Sequence, residues 1–187
     1  TRDQPERALE LLAQGVAAAD RLLVVEPLAP VNRRARANCL ECLGGILVRS
    51  ARSEEGLAQY ELALGLYEEL QREDPLDGQH FVDYTRALDG FANACATLDR
   101  HDEVIKTCER ALALLDNAPD SAGATDLTVR RLSILQNLAG AEHALGRVDE
   151  AHAHMAAADE LARKLSEANP RDVYTMSAWA QLLREWA

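Results

Sequence analysis

Cys39 and Cys42 form a C-x-x-C pair. On a helix the two thiols would stand one turn apart, close enough to share a metal ion or a redox task. A structural zinc needs two further ligands, and no second C-x-x-C is present; Cys95 and Cys108 stand singly. All four cysteines therefore read as small residues at the core or its boundary. His152 and His154 are two positions apart, which on a helix is about 200° of rotation. They do not make a metal pair on one face, and they read as solvated. His143 beside Glu142, and His101 beside Asp102, lack the nucleophile and the pocket that a catalytic dyad requires. The sequence has no glycine-rich phosphate loop, no G-x-S-x-G and no H-E-x-x-H. The expectation is a chain that is not an enzyme, with no metal site and no cofactor.

Composition narrows the class. The 187 residues carry a formal net charge of −11, the wrong sign for non-specific nucleic-acid binding. No apolar run approaches the ~18–20 residues of a membrane span. Hydrophobic residues are 48% and aromatics 4%, so the expected core is built of Ala and Leu. Few, irregularly spaced cysteines suit reduced thiols and a cytoplasmic protein. The start at Thr1, inside a helical pattern, reads as a piece of a longer chain.

The elements that hold these residues recur. Gln4–Ala8, Arg52–Gly56, Arg100–Val104 and Arg147–Ala151 align, and their last residues are spaced by 48, 48 and 47. Their third column is Glu6, Glu54, Asp102 and Asp149, acids that the helix macrodipole favours in a first turn. A stripe at helical period follows each start. In the last copy it is Ala151, Met155, Ala158, Ala162 and Leu165; in the third, Val104, Cys108, Ala111, Leu112 and Leu115; in the second, Tyr60, Leu64 and Tyr67. Each stripe runs out at a proline (Pro27, Pro75, Pro119, Pro170), which cannot continue a helix. A further helix precedes each start. It carries a small residue, Gly44, Ala92 or Ala139, twelve positions before the anchors Gly56, Val104 and Ala151.

These residues resemble the tetratricopeptide repeat. The small–large–small series of that family matches Ala8-Leu12-Gly15, Gly56-Tyr60-Ala63, Val104-Cys108-Ala111 and Ala151-Met155-Ala158. The period departs from the family's roughly 34 residues, and Val104 and Cys108 depart from its usual types. The resemblance implies an all-α, right-handed superhelical solenoid of antiparallel helix pairs, about eight helices in one array over 1–187. In it, 1–27 is the second helix of a truncated unit, 28–75, 76–119 and 120–170 are complete units, and 171–187 is the first helix of another. Trp179 and Trp186, two turns apart, would then leave apolar end surface uncovered.

The resemblance further implies a protein or peptide partner held along a concave groove lined by the first helices. Carried over by column, the groove places are Asn38 and Glu41, then Arg86, Asp89 and Asn93, then Ser133, Gln136 and His143. On this reading Arg86→Ala and Asn93→Ala weaken binding and leave the melting temperature nearly unchanged. The lysines of the family's carboxylate clamp are missing. A second candidate is a basic patch of Arg33, Arg34 and Arg36 with Arg130 and Arg131, five arginines near helix starts that suit an acidic peptide or a phosphate. Long-period arrays of this kind resemble those of large bacterial signalling and defence proteins. One alternative role is therefore the sensor arm of a larger switch; another is self-association through the end helices.

Overall fold

A computed structural model describes residues 3–168. These residues form seven α-helices: α1 Asp3–Val25, α2 Pro30–Arg49, α3 Ser53–Glu73, α4 Gly78–Ala96, α5 His101–Leu115, α6 Ala124–Ala144 and α7 Val148–Ala168. No strand occurs among the described residues. The eighth expected helix, 171–187 with Trp179 and Trp186, lies outside them. The third-copy stripe is the short one, as its early proline requires: α5 has 15 residues where α3 and α7 have 21.

Local chemistry explains the boundaries. Glu54 and Glu55, Asp102 and Glu103, and Asp149 and Glu150 occupy the first turns of α3, α5 and α7, facing the positive end of each dipole. The Asp77 side chain caps α4, accepting from the amides of Gln79 (2.8 Å) and His80 (2.9 Å). The turns from α2 to α3, α4 to α5 and α6 to α7 share one device. Ala51, Asp99 and Gly146 take positive φ values of 59°, 56° and 75°. The next amide reaches back to close the helix: Arg52 to the Leu47 carbonyl (2.9 Å), Arg100 to Cys95 (3.1 Å) and Arg147 to Glu142 (2.8 Å). This is a Schellman closure, and glycine fills its left-handed position in one of the three turns.

Each helix packs on its neighbours in sequence, and α2, α4 and α6 also pack on one another in file. The molecule is thus a helical-repeat solenoid, with α2, α4 and α6 forming an inner row. The sequence stripes are its seam. Val104, Ala111, Ala151, Ala158 and Ala162 are buried, as are Tyr60, Tyr67, Cys108, Leu115, Met155 and Leu165. One apolar cluster runs from α2 to α6 and a second joins α6 to α7; Leu112 packs against both. The small-residue columns mark where paired helices cross. A Cβ on Gly44 would stand 2.9 Å from the Gly56 carbonyl oxygen and from the Tyr60 ring, so α2 and α3 approach to backbone contact there. Ala92 with Val104, and Ala139 with Ala151, hold the same columns and are fully buried.

Candidate functional site

The inner row brings most of the groove columns into one ribbon. The period that aligns α2 with α4 sets Asn38 and Glu41 against Arg86. The Arg86 guanidinium donates through Nε to Glu41 Oε1 (2.7 Å), through Nη2 to Glu41 Oε2 (2.9 Å) and Asn38 Oδ1 (3.1 Å), and through Nη1 to Asp83 Oδ1 (2.9 Å). The hydroxyl of Tyr67, on α3, reaches the same acceptors, 2.7 Å from Asn38 Oδ1 and 2.9 Å from Glu41 Oε2. Its own burial, and then the Glu41 carboxylate, push the Tyr67 phenol well above its ordinary value. The hydrogen bond to Glu41 likewise holds Arg86 firmly protonated.

One repeat on, Asp89 plays the part of the acceptor. It is buried at 6% exposure and takes hydrogen bonds from Arg130 Nη1 (2.7 Å), Ser133 Oγ (2.9 Å) and Asn137 Nδ2 (3.0 Å). Burial pushes its carboxyl up, and the Arg130, Ser133 and Asn137 donors oppose that. Asn93 is exposed, with Nδ2 donating to the Asp89 carbonyl within its own helix (2.9 Å). Gln136 is half-buried and His143 is exposed in the last turn of α6.

Two expectations change. Arg86 was expected to be dispensable for stability; its guanidinium instead joins α2 to α4 and neutralises Glu41 and Asp83, whose side chains are 11% and 4% exposed. The basic patch is not one anion site. Arg33 is buried against Glu73, Arg36 pairs with Asp20 on α1 (2.6 Å), Arg130 with Asp89, and Arg131 with Asp116, the residue that ends α5 (2.8 Å). Arg34 lies near Asp77. These arginines face separate carboxylates, on helices α1, α3 and α4 and at the ends of α4 and α5.

Sequence reasoning missed Asp83, Asn137 and the hydroxyl of Tyr67. Tyr67 stood in the apolar stripe, and the stripe says nothing of where a phenol oxygen ends. It also missed a pair on the last unit: His154, half-buried, has Nδ1 2.7 Å from Oε2 of the buried Glu142. The four cysteines are free thiols; Cys42 is exposed, Cys39 half-buried, and Cys95 and Cys108 buried. Burial raises the Cys95 thiol to about 12 and pushes the Cys108 thiol well above its ordinary value, which leaves both as poor nucleophiles at neutral pH. Among the described residues no cluster of three or more His, Cys, Asp or Glu is placed to hold a metal ion. Among the same residues, no helix is long and apolar enough to cross a membrane. On the end helix α1, Leu11, Leu22, Val24 and Val25 are exposed.

No protein-family model matches the chain, and no curated protein matches it. Among solved structures it is similar to BtubC (BKLC) from P. vanneervenii, at 19% identity and a TM-score of 0.67. The match covers 96% of this chain and 64% of that one, so this chain spans less than two thirds of the protein it resembles. At that identity the likeness is one of fold.

Proposed function

We propose that the chain is a non-catalytic scaffold whose inner row, α2, α4 and α6, binds a peptide or a partner domain. One observation carries this reading. Asn93, Gln136 and His143 stand on the inner-row helices, exposed or half-buried, beside two bonded groups, Arg86 with Glu41 and Asn38, and Asp89 with Ser133. The bonded groups fix the helices; the outward amides keep donor and acceptor groups for an extended main chain. A rigid surface loses little conformational entropy on binding, which favours recognition by shape.

The test is selection of peptides from a displayed library on the immobilised chain, followed by their affinities for an Asn93→Arg, Gln136→Arg double variant. Selected peptides should bind that variant at least tenfold more weakly, about 1.4 kcal/mol, with an unchanged circular-dichroism spectrum. Peptides that bind parent and variant equally, or a library that yields none, would refute the reading.

A further inference from the structure

Two glycines of the inner row leave an opening between α2 and α4, and Tyr60 of α3 fills it from behind. A Cβ on Gly45 would stand 3.1 Å from the Tyr60 hydroxyl, and one on Gly90 2.7 Å from it. Side chains at both places would close the gap; glycines let the phenol through. Gly45 and Gly90 are themselves half-buried, so the hydroxyl ends at the surface of the row. Tyr60 is 8% exposed, and its hydroxyl, which is not sealed from solvent, has no hydrogen-bond partner among the described residues. Two turns along the same stripe, the Tyr67 hydroxyl has two acceptors, Asn38 and Glu41. A side chain this buried, with its polar tip open and unpaired, is placed to be met from outside.

Arg49 brings a second donor to the same point. It is exposed in the last turn of α2, and its Nη1 would lie 3.4 Å from that Cβ on Gly45. The guanidinium thus folds back over the opening. The helix dipole favours a cation in this turn, but it does not require the cation to meet an unpartnered hydroxyl. Arg86 and Arg130 on the same row are each bonded to a carboxylate, whereas Arg49 pairs with none among the described residues. Glu41, Cys42 and Asp89 also face Tyr60, and the two carboxylates are already held by Arg86 and Arg130. Burial, and then Glu41, push the Tyr60 phenol up to about 12 with Arg49 opposing, so at neutral pH it keeps its proton to donate. A hydroxyl donor beside a guanidinium that has no acid of its own is matched by a carboxylate.

We infer that the opening between Gly45 and Gly90 is a carboxylate site, in which Arg49 and the Tyr60 hydroxyl hold one acidic group of the partner. This rests on the inner row as the binding face and adds the chemistry of its ligand: a segment that sets a carboxylate, from an acidic side chain or a free C-terminus, over α2 and α4. Because the Tyr60 hydroxyl bonds to nothing within the fold, it serves the ligand.

The test is an NMR titration of the chain with three short peptides. Acetyl-Gly-Glu-Gly-amide carries a side-chain carboxylate, acetyl-Gly-Gly-Gly a terminal one, and acetyl-Gly-Gln-Gly-amide neither. At least one of the two acids should saturate with shifts at the Tyr60 ring and the Arg49 Nε–H, and the tighter one names the source. The neutral peptide should bind about threefold more weakly or worse. Tyr60→Phe should weaken the tighter acid about threefold to tenfold, one hydrogen bond's worth, with an unchanged melting temperature. Arg49→Gln should abolish the preference for acid over neutral peptide. The inference is overturned if neither acid saturates, if the neutral peptide binds as tightly, if Tyr60→Phe leaves affinity unchanged or melts several degrees lower, or if Arg49→Gln keeps the preference. Library peptides that still lose affinity to the Asn93→Arg, Gln136→Arg variant would then leave the binding face standing and remove the carboxylate alone.

Discussion

Replacing Arg86 with methionine keeps the aliphatic stem and removes the charge. In the parent the guanidinium makes four hydrogen bonds, two to Glu41 and one each to Asp83 and Asn38. Its loss leaves two carboxylates, 11% and 4% exposed, without their cation. Breaking a buried ion pair from one side costs about 3–5 kcal/mol. The Arg86 side chain is itself 36% exposed, so water re-enters and hydrates part of the loss. The expected net cost is about 2–4 kcal/mol, a fall of roughly 5–15 °C in melting temperature for a chain of this length. Urea denaturation followed at 222 nm measures it, and a cycle with Glu41→Gln isolates the pair. Glu41→Gln relieves the stranded charge, so the double variant should recover about 1–2 kcal/mol relative to additivity. Asn93→Ala, at an exposed position, should stay within about 0.5 kcal/mol of the parent. An Arg86→Met variant as stable as Asn93→Ala, with no coupling to Glu41, would show that the ribbon does not join the helices.

Two further outcomes test the turns and caps. Ala51 pays for a left-handed backbone that glycine adopts freely; Ala51→Gly should therefore raise stability by about 0.5–1 kcal/mol and Gly146→Ala should lower it comparably, both read by thermal melts. The Asp77 carboxyl is held below the usual aspartate range, chiefly by the His80 amide. As pH falls the unfolded chain takes up that proton before the folded one, so the contribution is complete above about pH 5 and fades below the ordinary value near 4. Asp77→Asn keeps an oxygen for the cap and should flatten that acid limb in stability measured from pH 6 to pH 3; an unchanged slope would remove Asp77 as its source.

The helices, their order and their buried faces were legible because each is set by local rules repeated at a constant period. Acids at first turns, prolines at ends and a stripe from Ala151 to Leu165 act within one helix, and recurrence separates them from chance. The left-handed turns were only partly legible, since Ala51 and Asp99 occupy a place that sequence preference would assign to glycine. The polar columns beside the stripes were legible as regular spacings but not as roles. Asn38, Arg86 and Ser133 look alike in sequence to Asn93 and Gln136: polar, regularly spaced, beside the packed stripe.

Position along a helix is a one-dimensional property, and the sequence by itself determined it: the helices of the described residues and the phase of the stripes that α3, α5 and α7 bury. Which polar group meets which depends on the distance between helices 26 to 48 residues apart. Only the tertiary structure decided that Arg86 closes on Glu41 and that the arginines of the expected patch disperse to separate acids. The physical reason is range. Helix propensity and capping act over a few residues, whereas a hydrogen bond needs its donor and acceptor within about 3 Å, and no periodicity in a sequence fixes a distance that short between separate helices.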